Sequence, residues 1–129
     1  MSKFYLNVTN ENRESLTVEV RSTVQLVNIL QKGFVTMSPV EGESNVKSRL
    51  TAHLQKPDGD YFLKSFAKFT VVLENYNGLD VYTVGKQKKD GYSWEQDLIS
   101  FRTDQLALGR LVTDIMERIR EEVDHEEAN

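Results

Sequence analysis

Lys86, Lys88 and Lys89 crowd a glycine-bounded turn in GKQKKDGYSWEQDLISF, residues 85–101, and Tyr92 and Trp94, the single tryptophan, follow at once. Cations interleaved with aromatic rings suit a polyanionic strand: ammonium groups neutralise phosphates, and a ring offers a surface on which a base stacks. The same run would also make a soluble turn whose lysines block edge-to-edge strand pairing, with Trp94 packed at the start of a strand. A second basic stretch, Lys47 and Arg49 in KSRLTA, opens an alternating segment.

Other chemistry has less to build on. His53 and His125 are the only histidines, one inside an alternating segment and one near the acidic end, without metal-ligand spacing between them and with no nucleophile beside either. Asp58 and Asp60 sit two apart in PDGD and could face a hard cation, but the downstream carboxylate of a calcium loop is missing, and proline followed by glycine reads as turn chemistry. The chain has no cysteine, which excludes disulfides, thiol catalysis and thiolate-bound zinc. It carries no glycine-rich phosphate loop and no other cofactor motif. A hydrolase or nuclease would need clustered carboxylates or an activated nucleophile, and the expectation is a non-enzyme without cofactor or metal.

At 129 residues, with 39% hydrophobic and 28% charged residues, the chain has the size and composition of one globular domain with a core of its own. The net charge of -4 hides an uneven distribution. The ending REEVDHEEAN holds five acids against one arginine, so residues 1–119 are neutral. The expectation is one domain over residues 1–120 and an acidic tail at 121–129, the tail being a fraying, solvated helix end that could compete for a basic face. No apolar run reaches the length of a membrane span, the start is not a secretory segment, and the absence of cysteine is compatible with a reducing cytoplasm.

The elements that must position these residues follow from periodicity. KFYLNVT and SLTVEVR alternate, with Phe4, Leu6 and Val8 and then Leu16, Val18 and Val20 inward, around a polar turn: an antiparallel hairpin. Ser22 or Thr23 caps a helix through TVQLVNILQKG, which Gly33 is expected to stop. FVTMSPVEGESN reads as a short extended piece and a loop. From Val46 the alternation resumes, with Leu50, Ala52 and Leu54 on one side and Arg49, Thr51 and His53 on the other. KPDGDY turns the chain into a long strand bent near Ser65, YNG turns it again into LDVYTVGK, and SWEQDLISF is the last strand. The clearest helix follows, capped by Thr103 or Asp104, with Leu108, Leu111, Val112, Ile115, Met116 and Ile119 on one face and Gly109 in a position to admit another backbone. The order is strands then helix, twice: an α+β fold with a curved antiparallel sheet and two helices.

This layout resembles the Whirly family and the related transcriptional-coactivator fold. The resemblance lies mainly in residues 46–120, in KSRLTA and in Tyr92, Trp94 and Glu95 ahead of LISF and TDQLALGRLVTDI. The glycine of the family's basic strand motif is absent, with Ser48 in that stretch instead. The resemblance implies a homo-oligomer, a homodimer or larger, with single-stranded DNA or RNA across the sheet. Lys47, Arg49 and Lys68 would neutralise phosphates beside Thr70. Tyr82 would stack a base, and Lys86, Lys88, Lys89 and Tyr92 would extend the strip. The alternative is a small regulatory module that binds a protein partner through a sheet edge or the C-terminal helix.

Overall fold

The computed structural model describes residues 3–35, 37, 47–76, 79–87, 94–99 and 104–128, with backbone alone for residues 47, 75–76, 79, 94–99, 104 and 128. Six strands and two helices follow in the order β1 (Tyr5–Thr9), β2 (Ser15–Glu19), α1 (Thr23–Val35), β3 (Lys47–Asp58), β4 (Phe62–Tyr76), β5 (Leu79–Gln87), β6 (Trp94–Ile99) and α2 (Asp104–Ala128). They form one open, moderately curled sheet of order β2-β1-β3-β4-β5-β6 in which every pairing is antiparallel. The α+β reading holds, and so does the order of strands then helix, twice. β2 and β3 both flank β1, so the connection between them passes over β1 and carries α1 onto one face of the sheet.

Alternation decides which face each residue takes. Leu6 and Val8 of β1, Leu50, Ala52 and Leu54 of β3, Ala67, Phe69, Val71 and Leu73 of β4, and Val84 of β5 are buried in one cluster with Leu26, Leu30 and Phe34 of α1 and Leu108, Leu111 and Ile115 of α2. Both helices therefore cover the same side. Burying a large aliphatic side chain contributes roughly 1.5–3 kcal/mol, so this shared cluster holds helices and sheet together. Thr9, Thr51 and Thr70, in one register row, point to the other, open side.

Local chemistry explains the ends of these elements. The Ser22 hydroxyl accepts the Gln25 amide at 3.1 Å, and the Gln25 side chain in turn accepts the Arg21 amide at 2.8 Å, which identifies Ser22 as the cap of α1. The β3–β4 turn runs through Gly59, whose φ of 78° is open to glycine at little cost. The turn leaves Tyr61 and Phe62 exposed at the hairpin tip. The bend expected near Ser65 is a β-bulge. Leu54 pairs with Ala67 but Gln55 pairs with Ser65, so Phe66 is the extra residue.

Three local expectations are corrected. Gly33 does not end α1, which continues to Val35; a Cβ at Gly33 would lie 2.7 Å from Leu50 Cδ1, so this glycine allows the helix to settle on the sheet. Phe34, read as the start of an extended piece, is instead a buried residue of the last helical turn. Gly109 admits no neighbour: nothing among the described residues lies within 4 Å of where its Cβ would be. β2 alternates as expected, but as the outer strand it leaves Leu16 49% exposed.

Candidate nucleic-acid interface

The open face is built from the odd-numbered residues of β1, β3 and β5 and, beyond the bulge, the even-numbered residues of β4. Register aligns them in rows: Asn7, His53 and Lys68; then Thr9, Thr51, Thr70 and Gly85; then Arg49, Val72 and Thr83. Gly85 adds no side chain to the middle row, which continues into β6 at Gln96. The result is a shallow concavity of about 250 Å³ whose lining includes Arg49, Lys68, Thr51, Thr70, Thr83 and Gly85. A second hollow of about 330 Å³ adjoins it and shares Arg49 and Thr51, continuing to His53, Thr9 and Asn10 at the β1–β2 turn. Together they make a polar trough across the middle strands.

Its electrostatics are positive but sparse. Arg49 is exposed and makes no ion pair among the described residues. Lys68 stands beside His53 in the same row. Burial disfavours the charged His53 imidazolium, and the Lys68 ammonium adds to the effect, so its pKa falls below the usual 6.5 and the ring is neutral near pH 7. The threonine hydroxyls can donate to phosphate oxygens as well as accept. Glu11 at the far end of the trough and Glu74 on β4 limit its extent.

The residues expected to bind are only partly brought together. Arg49, Lys68 and Thr70 share the trough. Lys47 begins β3 opposite Glu74, and of it the backbone alone is described. Tyr82 is not on this face. It pairs with Leu73, the parity of the core, and the residue is 8% exposed, its ring 6.0 Å from that of Phe34. A ring held there has no surface left for a base. Lys86 pairs with Phe69 and shares that inward parity, so it stands on the helix-covered side of the sheet and does not extend the trough. Lys88, Lys89 and Tyr92 lie outside the described residues, and Trp94 begins β6 opposite Gln87.

The acidic ending is a correction of a different kind. α2 runs on to Ala128, and Glu122 within it is buried. Lys56 of β3 reaches both Glu122 and Glu126, the latter at 3.2 Å, while Arg118 contacts Glu122 at 3.3 Å and donates to the carbonyl of the bulged Phe66 at 3.3 Å. The Phe66 ring lies beneath both cations, 5.4 Å from the Arg118 guanidinium and 6.0 Å from Lys56 Nζ. Burial pushes the Glu122 carboxyl up, but the hydrogen bond and charge of Lys56, with the charges of Arg118 and His125, outweigh it and hold the group below its usual range. The hydrogen bond that Lys56 donates to Glu122 raises the Lys56 pKa in turn, against burial, and Glu126 adds to the rise. Nothing in the sequence links Lys56 to residues this distant. The one signal was parity, which turns Lys56 to the side opposite Arg49.

Among the described residues no group of histidines and carboxylates could hold a metal ion, and no helix is long and apolar enough to cross a membrane. Asp58 and Asp60 flank Gly59 at the exposed hairpin turn. Compared with protein-family models, curated proteins and solved structures, the chain shows no match to any.

Proposed function

We propose that this chain is a non-enzymatic protein that binds single-stranded nucleic acid, DNA or RNA, along the open face of its sheet and acts as a homo-oligomer. The observation that carries the reading is the trough in which Arg49 and Lys68 converge over a floor of threonine hydroxyls, on the one sheet face that the helices leave uncovered. The arrangement of four antiparallel strands and a helix over β3–β6 and α2, with its resemblance to the Whirly layout, supports it. With Tyr82 inside the core, the phosphates supply most of the affinity and base identity matters little.

Fluorescence anisotropy with a labelled oligonucleotide at two salt concentrations tests this directly. Binding at low salt that weakens steeply as salt rises is the expected result. No binding at low salt to either single-stranded DNA or RNA ends the reading. A partner protein at a sheet edge is the second reading, favoured by the exposed Leu16 on β2; a complex that survives nuclease treatment would distinguish it.

A further inference from the structure

Among the described residues of the open face, His53 is the one side chain whose ordinary titration range lies near neutral pH. It is partly buried in mid-strand, between Asn7 of β1 on one side and Lys68 of β4 on the other. Directly opposed residues of an antiparallel pair carry their Cβ atoms about 5 Å apart, so the imidazole and the Lys68 ammonium belong to one cluster. The ring also lines the hollow that continues the trough past Arg49 and Thr51. It makes no hydrogen bond among the described residues.

The surroundings set the sign of its response. β4 presents Lys68, β3 itself carries Arg49 on the same face, and β1 presents the neutral Asn7 and, one row on, Tyr5. The β1–β2 turn adds Glu11, the carboxylate in the lining of that hollow. One strand further out, Glu19 of β2 is paired with Arg21. Both helices lie behind the sheet, and His125, the second histidine, acts there on Glu122. In the free protein burial and Lys68 keep the His53 ring neutral near pH 7. A polyanion reverses that balance. Its phosphate oxygens offset the Lys68 charge and offer an imidazolium N–H a charged acceptor.

We propose that His53 is a further cation of the nucleic-acid interface, recruited by acid: a bound strand takes up a proton on this ring, and the grip on phosphate tightens as the pH falls. This rests on the nucleic-acid reading above and adds to it a contact residue and a mode of regulation. At neutral pH Arg49 and Lys68 hold the strand, and in mildly acidic solution His53 joins them. The two effects are one by linkage. Whatever factor protonation adds to the affinity for the strand, the bound strand adds to the affinity of His53 for its proton.

The test uses the full chain and a labelled oligothymidylate, whose phosphodiesters and bases keep their charge between about pH 5 and pH 7.5, a window above the ordinary carboxylate range. At matched salt the affinity is expected to rise about threefold at the acid end, and the salt slope to steepen by about 0.7, one more phosphate contact on a single strand. Calorimetry of the native chain in two buffers of different ionisation enthalpy should show proton uptake on binding. His53→Gln should bring the ratio of affinities at the two pH values close to one and remove the uptake, while Glu11→Gln should keep both. Circular dichroism checks that each variant is folded at the acid end, and the calorimetry of the native chain needs no variant. Binding without proton uptake, or a pH ratio that survives His53→Gln, overturns the role of His53 and leaves the trough reading standing. No binding at either pH removes both.

Discussion

Two pairs of basic residues occupy opposite sides of this sheet. Arg49 and Lys68 stand over the open face in a trough of threonines, and Arg49 has no counter-ion among the described residues. Lys56 and Arg118 stand on the helix side, where Glu122, Glu126 and the Phe66 ring and carbonyl absorb their charge. Arg49 and Lys56 belong to the same strand, seven positions apart, and the odd difference alone sends them to different faces. One pair is spent on holding α2 to the β3–β4 hairpin. The other lines the open trough.

The comparison breaks first at Lys56. Replacing it with methionine keeps cover over Phe66 but leaves buried Glu122 next to Glu126, with Arg118 still in ion-pair contact with Glu122. The expected cost is about 2 kcal/mol, between the values for exposed and fully buried ion pairs. Urea denaturation would show it as a lower midpoint, and oligonucleotide affinity of the folded variant should stay unchanged. The open pair should behave in the converse way. Arg49→Gln with Lys68→Gln is expected to lower affinity about tenfold at low salt and to reduce the salt slope by about 1.4, roughly 0.7 per lost phosphate contact on a single strand. Its urea midpoint should not fall, because neither side chain supports the core. A double variant that binds normally would leave the trough without a role.

Much of this architecture was legible because strands β1 and β3 alternate cleanly. Leu6 and Val8, and Leu50, Ala52 and Leu54, could face only one way. α2 was legible for the same reason at helical spacing. β5 was not, since LDVYTVGK carries apolar side chains at both parities. Pairing of Val84 with Val71 and of Tyr82 with Leu73 is what sends Tyr82 into the core and Lys86 to the helix side. The role of Gly33 escaped for a related reason: a close approach to Leu50 is a tertiary fact, and locally a glycine after a helical run looks like a stop. The acidic ending looked unattached because its partner, Lys56, is 66 residues from Glu122 in the chain. The candidate site was legible to the extent that one strand, β3, carries Arg49, Thr51 and His53 on the same side. Lys68 joined them only through the β4 register beyond the bulge.

A milder effect should sharpen the contrast between core-bound and free surface on α2. Gly109 sits on the exposed side of the helix with open space where its Cβ would be. Gly109→Ala is expected to add up to about 1 kcal/mol of stability, since alanine loses less backbone freedom in a helix interior. Thermal unfolding would register it as a higher midpoint. A lower midpoint would mean that this surface packs against something when the protein assembles.

The smallest effect separates the two faces by pH. His53, on the open face, has its pKa lowered from 6.5 by burial and by Lys68. The unfolded chain therefore takes up a proton at a pH where the folded protein does not, and stability begins to fall as the pH drops through 6.5. Glu122, on the helix side, has a folded pKa below 4.5, so its contribution is complete above pH 4.5 and disappears as the pH falls through the folded value. Lys56, raised above 10.5, keeps its contribution below that pH and loses it only as the pH climbs through its folded value. Urea midpoints taken across the acid limb should thus decline in two stages. His53→Gln should flatten the first stage and leave the second, and Lys56→Met should flatten the second and leave the first. If His53→Gln changed the lower stage, the open and covered faces would be coupled through the sheet, and the division of labour between the two cation pairs would fail.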